Sequence, residues 1–252
     1  MSERSPDKFA RITAVISLVI AIAAVAIPYV QQKAALMQQQ EQFDKLHRED
    51  VSIKLNPYLK GVIYITGTKL ERLGSVVQVP WELTISNTGS RQLSIKNYDL
   101  TRGDSPGTTF YSDIDGGLLT LGSQPVGYPI ILKPGEMRKF LLFVGITVPD
   151  KVVEILKGIN EGDNIDREVA TAALAKEGLD LYGNEVSYKE FEGGAYFLSV
   201  DEKNMNGQRF WCVVHTGRGN SFVVSASEYE RPSDNDPLLR DAADRFSGAG
   251  RL

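Results

Sequence analysis

The sequence predicts a mostly β chain: an antiparallel sandwich with a two-helix insertion, carried behind an N-terminal transmembrane helix and a helical stalk. Three observations predict it. The run from Ile12 to Val30 holds no ionisable side chain except the Tyr29 phenol. The stretch from Gln31 to Asp50 contains no Gly or Pro and is rich in Gln, Ala, Glu and Leu, all good helix formers. From Val51 onward the apolar period changes to two, and turn residues punctuate the short runs. The boundaries that follow are a flank at 1–11, a membrane helix at 12–30, a stalk at 31–50, a β domain at 51–230 and a polar tail at 231–252.

At about 1.5 Å per residue the Ile12–Val30 run reaches roughly 28 Å as a helix, close to the ~30 Å hydrocarbon core of a bilayer. A cleavable signal peptide is the alternative, with Ala24-Val25-Ala26 as a small-x-small site. Against it, the run exceeds the usual apolar length of such peptides, and Glu3 and Asp7 interrupt the basic start. No cysteine follows the run, so a lipoprotein anchor is excluded. Arg4, Lys8 and Arg11 precede it, against Lys33 nearby and Lys45 and Arg48 further on. By the positive-inside bias this tilts towards an inner-membrane, single-pass protein with its domain outside the cytoplasm.

In the stalk, Tyr29, Leu36 and Phe43 recur every seven residues, with Gln32, Gln39 and Leu46 at the complementary positions. Two readings stand: a plain helical stalk, and a short coiled coil through which the chain self-associates.

The clearest strand alternates Val77, Val79, Trp81, Leu83 and Ile85 with Gln78, Pro80, Glu82, Thr84 and Ser86. Because Pro80 cannot donate to a ladder, the expectation is an edge strand or a bulge there. Asn87-Thr88-Gly89-Ser90 is turn chemistry. Leu93, Ile95, Tyr98 and Leu100 then change parity, which predicts a bulge near Asn97. Further strands are expected at Val51–Leu55, Leu59–Thr66, Thr108–Tyr111, Tyr128–Leu132, Arg138–Ile146, Ala195–Val200, Arg209–His215 and Phe222–Ser227. Lys133-Pro134-Gly135-Glu136 reads as a tight turn, and Thr216-Gly217-Arg218-Gly219-Asn220 as a hairpin connection. Many short strands with regular turn signals read as a sandwich.

The insertion covers about 149–178. Val152, Ile155, Leu156 and Ile159 follow Asp150 at helical spacing, with Asp150 as the expected cap. Ile165, Val169, Ala172 and Ala173 form a second helical face after Asp163, ending at Gly178. Beyond Arg231 the apolar content is too low to fold alone.

The membrane run, the Gln-rich stalk, the strand ending Asn87-Thr88-Gly89 and the Leu132-Lys133-Pro134-Gly135-Glu136 turn together resemble bacterial membrane-anchored proteins with immunoglobulin-like sandwiches. The resemblance spans Ile12 to Ile146 and implies an immunoglobulin-like fold and no catalytic residue. The helical insertion departs from that pattern.

Composition is that of an ordinary globular chain, with 252 residues, 42% hydrophobic and 24% charged. A net charge of −4 argues against nucleic acid as a partner. The single cysteine, Cys212, and two histidines, His47 and His215, leave too few soft ligands for a zinc site. Arg102-Gly103-Asp104-Ser105-Pro106 resembles an integrin-binding loop, but these are also common turn residues. Asp113-Ile114-Asp115-Gly116-Gly117 opens like a calcium loop, yet Leu118 and Gln124 stand where Gly and Glu are needed. Glu161, Asp163, Asp166 and Glu168 suit a helix start. Cys212 and His215 fall on opposite faces of one strand, so they do not form a nucleophile–base pair. No nucleophile elbow, phosphate loop or zinc-protease helix is present in the sequence.

The expectation is therefore a non-enzymatic binding protein without cofactor or metal, a subunit or adaptor of a bacterial envelope assembly. It would be attached to the membrane through 12–30 and have a protein partner. The alternative is a membrane-bound hydrolase or carbohydrate-handling enzyme, with paired carboxylates drawn from Asp113, Asp115, Glu190 and Glu192.

Overall fold

The computed structural model describes residues 14–17, 29–40, 42–43, 48–159, 163–190, 196–200 and 207–229. The chain divides into two compact units, Met1–Arg48 and Glu49–Leu252.

In the first unit, residues 14–17, 29–40 and 42–43 are helical. Most of the expected membrane helix, residues 12–13 and 18–28, lies outside the described residues, as do 44–47 of the stalk. Among the described residues no helix is long and apolar enough to cross a membrane. The tail expected at 231–252 also lies outside them.

The second unit is built of β1 (Val51–Pro57), β2 (Val62–Leu70), β3 (Gly74–Asn87), β4 (Leu93–Arg102), β5 (Asp115–Thr120), β6 (Ile130–Leu132), β7 (Met137–Val148), helix α1 (Asp150–Ile159), β8 (Asn164–Asp166), helix α2 (Arg167–Lys176), β9 (Val186–Glu190), β10 (Tyr196–Val200), β11 (Phe210–Thr216) and β12 (Ser221–Ala226). It is mostly β, and every strand pair is antiparallel. One sheet runs β5-β7-β3-β2-β8, with β1 also paired to β3, and a second runs β12-β11-β4-β6. β9 and β10 form a separate ribbon.

The period-two pattern explains the packing of these sheets. Val77, Val79, Trp81, Leu83 and Ile85 share one buried face of β3, aligned with Phe140, Leu142, Val144 and Ile146 of β7. The same core takes in Leu93, Ile95 and Leu100 of β4 and Phe210, Cys212 and Val214 of β11. Trp81 meets Phe210 edge-on across it, with ring centroids 6.1 Å apart. Each of these large side chains contributes about 1.5–3 kcal/mol by leaving water.

Pro80 is not on an edge strand. β3 is central, with β7 along one side and β2 followed by β1 along the other. β2 pairs with Gly74–Gln78 and β1 with Trp81–Asn87, so Pro80 sits where the neighbour changes. Its carbonyl faces that junction and accepts from Tyr58 N at 3.1 Å and Arg167 Nη1 at 3.2 Å. In an extended strand N and C=O of one residue point the same way, so the missing N–H falls where no ladder partner is available.

The bulge expected near Asn97 is present: β11 pairs His215 with Asn97 but Thr216 with Ile95. The Lys133–Glu136 turn closes through Glu136 N to Lys133 O at 2.9 Å, with Gly135 at φ +74. Thr108–Tyr111 is not a strand; only Thr109 bridges back to Arg102. Three strands have no counterpart in the periodicity reading: β5, β8 and β9.

The insertion is part of the core rather than a cover laid over it. Val152 and Leu156 of α1 and Ala170 and Leu174 of α2 are fully buried, and β8 between the helices joins the sheet against β2. Asp150 lies in the first turn of α1, where its carboxylate binds Lys69 and Ser75 instead of capping. The second helix begins later than Asp163. Asp166 is its cap, accepting from Glu168 N at 2.9 Å and Val169 N at 3.1 Å. That shift changes the buried face: Val169 is 50% exposed, while Arg167, Ala170, Leu174 and Ala175 point inward. Gly178 at φ +73 ends the helix, as its position suggests.

Candidate functional site

Three polar side chains line up across the second sheet. Ser221 opens β12 directly opposite His215 of β11, while Asp99 of β4 lies on the diagonal, opposite Val213. Ser221 Oγ is 2.8 Å from His215 Nδ1, and His215 Nε2 is 2.9 Å from Asp99 Oδ2. A carboxylate only accepts, so in the neutral imidazole the proton sits on Nε2 and donates to Asp99. Nδ1 then accepts from the Ser221 hydroxyl. This is the polarity that general-base activation of a serine requires. The Asp99 side chain is 58% exposed and that of His215 25%, so the chain lies on the wet face of the sheet. Water competes for both hydrogen bonds on that face.

A second feature is a cleft of about 290 Å³ between the β2–β3 hairpin and α1. Ile65, Val76 and Val153 form its floor, and Thr68, Lys69, Ser75, Asp150, Glu154 and Lys157 its polar rim. A register shift in β2 between Ile65 and Lys69 opens the hairpin there. The Lys69 ammonium and the Ser75 hydroxyl hold the Asp150 carboxyl below the ordinary aspartate range. The cleft and the serine chain share no residue.

The motif residues are mostly occupied by the fold. Arg102 donates from Nη1 to Thr147 Oγ1 at 2.6 Å, and Gly103 O accepts from Trp211 Nε1 at 2.8 Å. The loop thus ties Arg102 to the body instead of splaying it beside Asp104, as an integrin ligand would need. Asp113 accepts from the Thr68 hydroxyl, and Asp115 accepts from Tyr98 Oη at 2.7 Å and Gly117 N at 2.9 Å. Burial and the Asp115 carboxylate push the Tyr98 phenol far above its ordinary value. Among the described residues no three His, Cys, Asp or Glu side chains gather as they would around a metal. Cys212 is fully buried, and burial pushes its thiol up, away from nucleophilic use. Glu161, Glu192 and His47 lie outside the described residues, as does the side chain of Glu190.

The Ser221 pairing was half legible in the sequence. The hairpin at Thr216–Asn220 sets Ser221 opposite His215 once its register is counted. Asp99 is remote in the chain and reaches the imidazole only through the β4–β11 pairing, which no local pattern announces.

No family model, no curated protein and no solved structure matches this chain.

Proposed function

We propose that the chain is a single-pass membrane protein whose β domain is a non-catalytic binding module, a subunit or adaptor of an envelope assembly, facing away from the cytoplasm. The observation that carries the reading is the Ile12–Val30 run, long enough for a bilayer and followed without a break by a helix-forming stalk. An immunoglobulin-like description of the domain belongs to the same reading; two antiparallel sheets around one core support it. The rim of the α1 cleft, with Lys69 and Lys157 beside Asp150 and Glu154, is the surface offered to a protein partner.

Alkaline extraction of membranes tests the attachment. The full chain stays with the membrane pellet, and a variant lacking residues 12–30 is released. Release of the full chain overturns the reading. Because the insertion is in the core, its removal would unfold the domain. The surface is tested instead by a photo-crosslinking side chain at Lys157 in the full chain. A covalent adduct with one envelope protein, lost on Glu154→Lys, is expected; no adduct there overturns the choice of surface.

The hydrolase reading is carried by a different observation, the Ser221–His215–Asp99 chain. A fluorophosphonate that labels the wild-type chain but not Ser221→Ala or His215→Gln would establish it, and no labelling removes it. The paired-carboxylate form is disfavoured, since Thr68 and Tyr98 already hold Asp113 and Asp115.

A further inference from the structure

The α1 cleft holds two charges that the fold leaves unused. Among its rim groups, Lys69 and Ser75 bind Asp150, and Thr68 donates to Asp113. Glu154 and Lys157 line the same cleft and are exposed, and neither makes a hydrogen bond or ion pair among the described residues. They stand three apart on α1, so they share one helix face with Asp150 and with Val153 of the floor. We propose that the cleft binds a free aliphatic α-amino acid. Glu154 holds its ammonium, Lys157 its carboxylate, and Ile65, Val76 and Val153 its side chain.

Floor, charge and size each select that chemistry. The floor is aliphatic throughout, and its three residues are at most 8% exposed, so an apolar side chain gains by leaving water there. The rim carries two lysines and two carboxylates. Its charge sums to zero, and one group of each sign is free. A ligand with a single charge would leave the opposite member of that free pair unmet. An α-amino acid bears both charges on one carbon, which suits two groups that are neighbours on one helix face. The end of a peptide chain bears only one of them. A volume of about 290 Å³ lies at the lower end of the range for small-molecule sites, which suits one such molecule better than a folded segment. The ligand sits on the floor, beneath the rim offered to a protein partner, and its binding does not depend on that partner.

Calorimetric titration of the purified full chain in detergent, with no partner present, tests the inference. L-Leucine should bind saturably. Leucinamide lacks the carboxylate and 4-methylpentanoate lacks the ammonium, so each should bind about tenfold more weakly or worse. Glycine, with nothing to place on the floor, should do the same. Lys157→Gln should weaken leucine by a similar factor and leave leucinamide unchanged, because the group that Lys157 serves is missing there. Glu154→Gln should likewise weaken leucine and spare 4-methylpentanoate. No binding of leucine, or equal binding of leucine and glycine, would overturn the inference. Leucinamide bound as tightly as leucine would overturn it in favour of the amino end of a peptide, and 4-methylpentanoate in favour of the carboxyl end. The ligand series uses the unaltered chain, so it decides even where a variant fails to fold. Failure here leaves the protein-partner reading standing, since crosslinking at Lys157 reads that separately.

Discussion

The Glu49 carboxylate accepts from Asn220 Nδ2 at 2.9 Å, binding the first residue of the β domain to the turn between β11 and β12. Thr216 Oγ1 donates to the same oxygen at 2.6 Å, and the Glu49 side chain is only 4% exposed. On the next residue, the Asp50 carbonyl accepts from Thr88 N at 2.9 Å and Gly89 N at 3.1 Å, in the turn after β3. The start of the domain is thus held by two turns from two different sheets. Hydrogen bonds to a charged group contribute about 1.5–3 kcal/mol. Glu49→Ala should therefore lower the unfolding free energy by about that much in denaturant titration. Amide exchange at Thr88 and Gly89 should rise before that of the core strands. Unchanged exchange there would mean that Glu49 does not brace the junction.

Arg167 is the most heavily used cation in the described core. It donates from Nη2 to Glu228 Oε1 at 2.6 Å and from Nη1 to the carbonyls of Tyr58 and Pro80 at 3.0 and 3.2 Å. Tyr182 Oη adds a bond to the other Glu228 oxygen at 2.9 Å. Removing one member of a buried pair leaves the other uncompensated, which costs about 3–5 kcal/mol. Arg167→Met should fall in that range, and Arg167→Met with Glu228→Leu should recover much of it. A double variant no better than the single would place the loss in the carbonyls that Arg167 served, that of Tyr58 first, since Pro80 O keeps the Tyr58 N–H.

Gly145 shows a packing limit instead. A Cβ there would come within 2.0 Å of the Asp113 carbonyl oxygen, and Gly145 N donates to Ile114 O at 2.7 Å. The segment before β5 lies directly against β7 at this point, and neither partner is a flexible side chain. Gly145→Ala should cost about 1–3 kcal/mol or more, as overpacking does. Tyr111 Oη, which bonds Gly145 O at 2.6 Å, should lose its protection, read as a fluorescence change on the variant.

How far the chain could be read in advance follows from which forces are local. Strands with one wet face announce themselves by alternation, as β1 and β3 do, and the largely buried β7 and β11 read as apolar runs bounded by turn residues at Gly135 and Gly217. β8 is three residues long and is a strand only because β2 lies beside it. β5 contains Gly116 and Gly117, residues that weaken a strand on propensity, and it is held by β7. Pro80 misled because the rule against proline in central strands assumes one continuous neighbour on each side. Asp163 misled because Asp166, three residues on, caps equally well and pairs with Val62 at the same time. Of the candidate site, His215 and its hairpin partner were accessible to counting, and Asp99 was not.

Asp150 supplies a prediction in the acid range. Its carboxyl lies below the ordinary 3.8 because Lys69 and Ser75 bind the charged form. A group whose folded value is depressed stabilises the fold above its unfolded value, and that contribution fades as pH falls through the folded one. Wild type and Asp150→Asn should therefore differ in stability at neutral pH and converge below pH 3.8. A gap that persists undiminished in acid would show that the loss in the variant is not electrostatic.

The alkaline range involves different groups. Tyr182 bonds Glu228, Tyr229 bonds Asp180, and Tyr98 bonds Asp115, each phenol donating to a carboxylate. Burial first, and the neighbouring carboxylate with it, raises all three well above the ordinary value of 10.0. For a raised group the stabilisation is complete below the unfolded value and is lost as pH climbs from there towards the folded one. Stability should therefore hold up to about pH 10 and then decline steeply, since the unfolded chain releases these protons first. Tyrosinate absorbance from the three should appear together with loss of β circular dichroism, not ahead of it. In Tyr182→Phe with Glu228→Gln the decline should be shallower, because one phenol–carboxylate pair no longer opposes ionisation. Tyrosinate absorbance near pH 10 that disappears from the still-folded chain on Tyr98→Phe, Tyr182→Phe or Tyr229→Phe would contradict the burial of that phenol.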